Sequence, residues 1–315
     1  MSVSETVVDQ IEGIASLKRD EPLARHTTFG IGGPADVFVT VETAAQLGEV
    51  VRACQDSETP FFVLGSGSNI VVGDAGIRGV TIENKASAAS EPVRMPRVST
   101  RGDDACLGVR ADAGCSFAAL ARRLSFAGYA GLEWASGIPG SVGGAVVYNA
   151  GAYGGCLADV LTRIGVQDTD GVGEIAASDL GLVYRGSDFT RGLMAGRAVL
   201  WAEFALWPGD AAALRERVKE FDERRLKAQP RGRNAGSIFK NPAERPAWRL
   251  IDEAGLRGHR IGGAEFSPKH SNFIVNAGGA RAADVAALID LAQTRVRDQF
   301  GVELEAEVSL VGEGF

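Results

Sequence analysis

Hydrophobic and polar positions recur with both helical and strand periods along the chain, which predicts a mixed fold. Thr43, with Gln46 three residues later, and Ser116 each precede an apolar stripe of helical spacing, so capping signals mark where two helices begin. An earlier stripe of the same spacing predicts a helix within residues 5–17. Short runs rich in β-branched and aromatic residues predict strands, at residues 38–41, 61–64, 79–82 and 198–207.

The pattern changes near residue 208, where we place a domain boundary. Residues 211–227 and 282–299 each carry one apolar stripe and predict helices of a second domain. Residues 302–308 alternate strictly between apolar and acidic positions, which predicts a half-buried strand. Residues 85–104 are polar and have no period, and we interpret them as an exposed loop.

Two glycine-dense loops give the strongest functional signal. Residues 65–69 read Gly-Ser-Gly-Ser-Asn after an apolar strand, and residues 131–154 place glycine at seven of 24 positions. Free backbone amides in such loops can cradle a phosphate, although a turn-rich connection is the common alternative. Neither loop has the spacing of a dinucleotide-binding Rossmann turn or of a P-loop, so both classes are disfavoured. Two such loops suggest a long ligand with a pyrophosphate at its middle.

Composition narrows the classes further. The chain has 315 residues, 45% of them hydrophobic, and its net charge of −7 argues against a nucleic-acid-binding surface. Its four cysteines lack the spacing of a redox or disulfide framework, and its three histidines lack that of metal ligands. No signal peptide and no 18-residue apolar stretch is evident, so we expect a cytoplasmic protein with neither a metal nor a membrane span.

Four places carry candidate chemistry. Arg185, beside Tyr184, can bind a carboxylate or phosphate, and Ser237 lies in a polar Gly-Ser-Ile-Phe-Lys-Asn segment that could supply a proton. A surface arginine and a plain β-turn are the respective alternatives. His270 lies in a further polar cluster, where a structural role is more common than a catalytic one. Alternation also brings three acidic residues to one face of the last strand, without choosing among them: Glu303, Glu305 and Glu307.

Taken together, these segments resemble the UDP-N-acetylenolpyruvoylglucosamine reductase (MurB) family of peptidoglycan synthesis. The resemblance runs from about residue 26 to residue 312, nearly the whole chain. The glycine loop and the Ser-x-Lys-His segment at residues 267–270 are similar to the second of the family's two subtypes, which lacks a substrate-covering tyrosine loop. The motifs occur in order, at residues 26–35, 65–69, 137–154, 184–187, 236–242 and 304–308.

The resemblance implies an α+β flavoenzyme with an FAD-binding domain of the vanillyl-alcohol-oxidase-like type. That domain would span residues 1–208 as two α+β subdomains, split near residues 57–85, and residues 209–315 would form a C-terminal α+β substrate-binding domain. The family reduces the enolpyruvyl ether of UDP-N-acetylglucosamine to UDP-N-acetylmuramate. FAD takes a hydride from NADPH and gives it to the vinyl carbon. Neither a nucleic acid nor a membrane is implied as a partner, and a monomer is expected.

The resemblance also assigns roles to residues. It makes Ser237 the proton donor, and Arg185 and Glu307 the pair that polarises the substrate carboxylate. It implies eleven cofactor-binding residues in the two loops: Gly65, Ser66, Gly67, Ser68, Asn69, Pro139, Gly140, Ser141, Gly143, Gly144 and Ala145. It implies six substrate-binding residues: Tyr153, Tyr184, Lys227, Lys240, Asn241 and His270. Ser66 departs from the glycine that is usual at its position.

Two other functions are compatible with the sequence. A small-molecule flavin oxidase of the same fold commonly attaches its flavin covalently to a histidine or cysteine, and His26 is the histidine near the N-terminal motif. A non-catalytic nucleotide-binding regulator is favoured only if Arg185, Ser237 and Glu307 are far apart in space.

Overall fold

The computed structural model describes residues 3–95 and 106–315. Its α-helices are α1 (Glu5–Glu12), α2 (Ala44–Asp56), α3 (Phe117–Phe126), α4 (Val142–Val147), α5 (Ala211–Ala228), α6 (Ala247–Glu253) and α7 (Ala282–Phe300). Its strands are β1 (Ser16–Pro22), β2 (Pro34–Val41), β3 (Phe61–Leu64), β4 (Ile70–Val72), β5 (Ile77–Asn84), β6 (Val93–Arg94), β7 (Leu107–Asp112), β8 (Tyr129–Ala130), β9 (Gly151–Ala152), β10 (Gly155–Cys156), β11 (Leu161–Asp168), β12 (Gly171–Ala176), β13 (Ala198–Pro208), β14 (Arg260–Ile261), β15 (Ala264–Phe266), β16 (Ile274–Asn276) and β17 (Ser309–Val311).

Three sheets organise the chain. The first has the order β1-β2-β5-β3, with β2, β5 and β3 parallel and β1 antiparallel at its edge. The second, antiparallel sheet has the order β12-β11-β13-β7-β6. The third is the small antiparallel sheet β14-β15-β16. Strand β17 follows the third sheet in the chain but pairs in parallel with β4, so the C-terminal segment lies against the part of the chain that holds the first sheet.

Sequence signals explain where the helices begin and end. The Thr43 side chain accepts a hydrogen bond from the Gln46 N–H, and the Gln46 side chain accepts from the backbone of Glu42, so the predicted cap of α2 is confirmed. The Ser116 hydroxyl caps α3 by accepting from Ala119 N–H. Helix α1 is shorter than predicted. It ends at Glu12 with Gly13 as its C-cap, and β1 begins at Ser16.

Three large apolar clusters, and a fourth, smaller one at the first sheet, fill the spaces between these layers. One joins α1 and α2 to the first sheet, and a second joins α3 and α4 to the second sheet. The third lies among α6, α7 and the third sheet, and it also takes in Phe29, Ile31 and Val71 from the first unit. Helix α5 packs on α3, where Arg122 holds Asp222 through two hydrogen bonds of 2.7 Å. The boundary at residue 208 stays a prediction.

The structure corrects two expectations. Residues 302–308 do not form the predicted strand. Their backbone bonds go to the loop at residues 238–240 and include one isolated bridge, and β17 begins only at Ser309. Residues 85–95 are not simply a loop, since Ala86 is buried and β6 pairs with β7. The rest of the predicted loop, residues 96–104, lies outside the described residues.

Candidate functional site

The two glycine-rich loops meet face to face. The first loop follows β3, and the second leads into α4, whose first turn is capped by the Ser141 hydroxyl accepting from Gly144 N–H at 3.3 Å. The Ser68 hydroxyl donates to the Pro139 carbonyl at 3.0 Å and so joins the loops directly. A Cβ on Gly65 would collide with Ser141 Oγ, so this approach requires glycine.

A cavity of about 910 Å³ lies beside these loops and is lined by all eleven predicted cofactor-binding residues. This volume is near the upper end of the roughly 300–1,000 Å³ usual for ligand pockets, so the cavity accepts a long ligand. In the part of the chain that the structure describes, the amides of Ser66, Gly67 and Ser68 have no hydrogen-bond acceptor. Gly67 has φ +60°, and a Cβ there would collide with the His26 carbonyl. The first loop therefore presents backbone donors at a place that a side chain on Gly67 would fill, which fits the pyrophosphate of a flavin dinucleotide.

The three predicted catalytic residues line this same cavity, although they come from distant parts of the chain. Arg185 Nε lies 2.7 Å from Glu307 Oε1, an ion pair whose angle falls outside that of a hydrogen bond. The Glu307 N–H donates to the carbonyl of Ile238, the residue after Ser237, at 2.7 Å. The main chain thus holds the glutamate next to the serine. The Asn69 side chain donates to the Glu307 carbonyl at 3.1 Å and ties this wall to the first glycine loop.

Burial sets the electrostatics of this wall. Desolvation raises the pKa of Glu307 above its usual range, and the charges of Arg185 and Lys240 offset that only in part. Arg185 has φ +56°, a backbone conformation that costs a non-glycine residue energy. A tight turn with a bridge between Val183 and Gly186 holds it there and aims the guanidinium at Glu307.

Tyr153, a predicted substrate contact, also lines the cavity. Its ring stacks on Phe221 with centroids 4.5 Å apart, and its hydroxyl donates to the Phe221 carbonyl at 3.1 Å. These contacts fix the tyrosine against α5.

The other five predicted substrate contacts do not line the cavity. Tyr184 is exposed, and Lys227 lies on the exposed face of α5. The Lys240 ammonium pairs with Glu305 at 2.6 Å, so its charge reaches Glu307 only from a distance. The Asn241 side chain accepts from Ala247 N–H at the start of α6. His270 packs between Trp248 and Phe273, and burial lowers its pKa. Their roles as substrate contacts stay predictions.

The basic run at residues 224–227 indicated either a local anion site or a solvated face, but the sequence did not single out Arg225, which lines both the main cavity and a neighbouring pocket of about 240 Å³. Burial lowers the pKa of its guanidinium. The nearby Asp222 is engaged by Arg122, and among the described residues Arg225 forms no ion pair. A half-buried arginine without a carboxylate partner is a site for an anion. Helical spacing from Phe221 would have selected Arg225 over Lys227.

Comparison with known proteins agrees with this geometry. Residues 35–173 match the model of an FAD binding domain, and residues 228–311 match that of the UDP-N-acetylenolpyruvoylglucosamine reductase C-terminal domain. The UDP-N-acetylenolpyruvoylglucosamine reductase of Carboxydothermus hydrogenoformans is 43% identical over 296 residues, 93% of each chain. That of Agathobacter rectalis is 42% identical over 314 residues, 98% of each chain.

A solved structure shows the same fold. The crystal structure of UDP-N-acetylenolpyruvylglucosamine reductase (MurB) from Thermus caldophilus superposes with a TM-score of 0.76 at 34% identity, covering 95% of this chain and 100% of that one. The predicted fold class, α+β with an FAD-binding domain of the vanillyl-alcohol-oxidase-like type and a C-terminal domain, is confirmed. Because these matches cover nearly the whole chain, this protein belongs to the UDP-N-acetylenolpyruvoylglucosamine reductase family.

Proposed function

We propose that this chain reduces UDP-N-acetyl-3-O-(1-carboxyvinyl)-glucosamine to UDP-N-acetylmuramate with NADPH and FAD, and that Arg185, Ser237 and Glu307 carry the chemistry. The observation that supports these roles is the convergence of the three residues on one cavity that also presents both glycine loops. The reaction belongs to peptidoglycan precursor synthesis, and through it to cell shape and division. We place it in the cytoplasm and expect a monomer; no helix among the described residues is both long and apolar enough to cross a membrane.

The loop at residues 65–69 would hold the FAD pyrophosphate through the backbone N–H groups of residues 66–68, and residues 139–145 would line the facing side of the site. When bound, the flavin supplies a hydride to the vinyl methylene carbon of the substrate. The protein must then orient the substrate, stabilise the charge that moves onto its carboxylate, and deliver a proton.

Arg185 is suited to the substrate carboxylate, because its guanidinium is held at the cavity wall by a rigid turn. Hydride addition to the methylene carbon pushes an electron pair toward the α-carbon and its carboxyl group. Arg185 and a protonated Glu307 stabilise that charge. Ser237 then gives the proton of its hydroxyl to the α-carbon and completes the lactyl ether. Serine is a very weak acid, so this transfer depends on a basic carbanion held close to it.

Two observations bear on the competing functions. His26 does not line the cavity, and each of its ring nitrogens lies 3.0 Å from a carboxylate oxygen, so His26 is not placed to attach a flavin. Arg185, Ser237 and Glu307 share one cavity, which removes the condition that favoured a non-catalytic regulator.

A spectroscopic titration tests the proposed function. The purified protein is expected to absorb near about 450 nm, to bleach when NADPH is added without oxygen, and to recover when the enolpyruvyl substrate follows. If the flavin absorbance recovered with oxygen alone and did not recover with the enolpyruvyl substrate, the result would support an oxidase instead.

Replacing Gly67 or Gly143 by valine is expected to give folded but colourless protein. A Cβ at Gly67 would collide with the His26 carbonyl, and one at Gly143 would lie 3.0 Å from the Ala113 Cβ, so either loop must move away from the pyrophosphate. Gly173→Val is the matched control, because nothing lies within 4 Å of a Cβ there. Flavin content is measured after denaturation. Full flavin content in both loop variants would exclude these loops as the pyrophosphate site.

Arg225→Met is expected to weaken binding of the UDP-substrate about ten- to hundredfold, the range for one lost charge-assisted hydrogen bond. The half-buried guanidinium is available to an anionic diphosphate, whereas the nearby Lys227 is exposed outside the cavity. Lys227→Met is therefore the comparison variant and is expected to bind normally. Substrate dissociation constants from flavin absorbance changes check this. If Lys227→Met weakened substrate binding and Arg225→Met did not, the result would support Lys227 as the substrate contact instead.

A further inference from the structure

Three consecutive residues at the C-terminal end of α4 bond to the two segments that carry Arg185 and Glu307. Val147 is the last residue of the helix, Tyr148 is its C-cap, and Asn149 follows with φ +42°. The same helix begins in the second glycine loop. Helix α4 therefore connects the predicted cofactor site to both members of the pair.

The turn that carries Arg185 is fixed to the first and the third of these residues. The Ser187 hydroxyl donates to the Val147 carbonyl at 2.6 Å. The Asn149 side chain donates to the Val183 carbonyl at 2.8 Å. The side chains of Ser187 and Asn149 are buried, so loss of either bond would leave an unsatisfied polar group. Because Val183 and Ser187 flank Arg185 in the chain, the turn is held to α4 on both sides of the arginine.

Tyr148, between those two residues, reaches the segment that carries Glu307 instead. Its hydroxyl is 2.7 Å from the Ser309 hydroxyl, a hydrogen bond in which either oxygen can be the donor. Ser309 lies two residues after Glu307 and begins β17. The first glycine loop holds the same segment, because the Asn69 carbonyl accepts from Ser309 N–H at 3.0 Å and the Asn69 side chain donates to the Glu307 carbonyl.

The bond between Tyr148 and Ser309 joins two uncharged groups. Burial raises the pKa of the Tyr148 hydroxyl, and its hydrogen bond with Ser309 offsets this only in part, so the phenol stays neutral. Of the two partners, both within the described part of the chain, Tyr148 lines the cavity and Ser309 does not. Among the hydrogen bonds of the described residues, this is the one that joins α4 to residues 304–311.

We propose that Tyr148 is a positioning residue whose hydroxyl, through Ser309, holds Glu307 in register with Arg185, with α4 as their common support. Without that hydroxyl, Arg185 stays fixed to α4, while the segment of Glu307 is held only by its other hydrogen bonds. The carboxyl group then no longer keeps its place beside the guanidinium when the substrate is bound. This inference rests on the proposed roles of Arg185 and Glu307.

The test follows both half-reactions by anaerobic stopped-flow absorbance in Tyr148→Phe and Ser309→Ala. Each variant is expected to keep full flavin content and normal reduction by NADPH. Reoxidation by the enolpyruvyl substrate is expected to slow about three- to tenfold, the range for one neutral hydrogen bond. The double variant should be no slower than either single variant, because all three lack the same bond. Tyr129→Phe, at a tyrosine of β8 outside the cavity, is the matched control and should match the wild type.

A second comparison separates positioning of Glu307 from a general loosening of the cavity. In a Glu307→Ala background, Tyr148→Phe is expected to change the reoxidation rate by less than about twofold, because the carboxyl group that it positions is gone. A further loss as large as that in the wild-type background overturns the inference, and so does equal slowing of both half-reactions.

Two other outcomes would also contradict the inference. Slowing by Tyr148→Phe without slowing by Ser309→Ala overturns it, because the tyrosine would then act directly on a ligand in the cavity. If both variants reoxidise at the wild-type rate while Glu307→Ala is slow, the inference is overturned and the proposed function stands. A wild-type rate in Glu307→Ala itself overturns the proposed role of that glutamate, and this inference with it.

Discussion

Ser237→Ala is expected to leave reduction of the bound flavin by NADPH nearly unchanged and to slow its reoxidation by the enolpyruvyl substrate by several orders of magnitude. The first half-reaction involves no protonation of the substrate. The second requires a proton at the α-carbon, and Ser237 lines the cavity beside Arg185 and Glu307. The loss should reach the roughly 10²–10⁴-fold typical of a general acid. Anaerobic stopped-flow absorbance follows the two half-reactions separately.

Ser178→Ala, at an exposed serine outside the cavity, is the matched control and is expected to match the wild type in both half-reactions. Equal slowing of both half-reactions in Ser237→Ala would reject the role of proton donor and point to a change in the cavity as a whole. Full flavin content in the variant is the condition for that comparison.

Local signals in the sequence were enough to predict the glycine loops and several helix starts. Thr43 and Ser116 cap helices through contacts only three residues away, so pattern and chemistry coincide. Glycine at positions 65 and 67 is required by contacts with distant residues, yet its presence is visible in the sequence itself. Where a structural constraint requires a particular residue type, the site can be recognised from the sequence.

Long-range contacts account for what the sequence could not settle. Residues 302–308 alternate like a strand, but their partner is the irregular loop at 238–240, so no ladder forms. The pairing of Lys240 with Glu305 likewise joins two segments that are far apart in the sequence. The left-handed backbone of Arg185, which directs its guanidinium, has no signature in its own residue type. Such features depend on which segments meet, and periodicity carries no information about that.

The structure distinguishes the three glutamates near the C-terminus, which the alternating sequence pattern could not do. Glu307 is mostly buried at the cavity and pairs with Arg185, Glu305 is exposed and pairs with Lys240, and Glu303 is exposed. An exposed ion pair contributes little, so the acidic residues other than Glu307 are expected to be dispensable. Glu303 and Glu305 therefore serve as control positions for a test of Glu307.

Glu307→Ala is expected to slow flavin reoxidation by the substrate about 10²–10³-fold, the range for loss of one donor to a developing oxyanion. Glu307→Gln, which keeps a donor, should cost less than about tenfold. Glu303→Ala and Glu305→Ala should stay within about twofold of the wild type, as for exposed positions. Stopped-flow rates on folded, yellow protein check the series. If Glu305→Ala were as slow as Glu307→Ala, the catalytic glutamate would be misassigned.

The same residue predicts a pH dependence. Burial already raises the pKa of Glu307, and a substrate carboxylate at Arg185 would both remove its cationic partner and add a like charge. Each change raises that pKa further, so substrate binding should take up a proton. The reoxidation rate should fall as pH rises through the raised pKa, because the ionised form no longer donates. Calorimetric binding in two buffers of different ionisation enthalpy measures the proton uptake. Glu307→Gln should abolish both the uptake and the fall, and uptake that persists in this variant would assign the proton to another group.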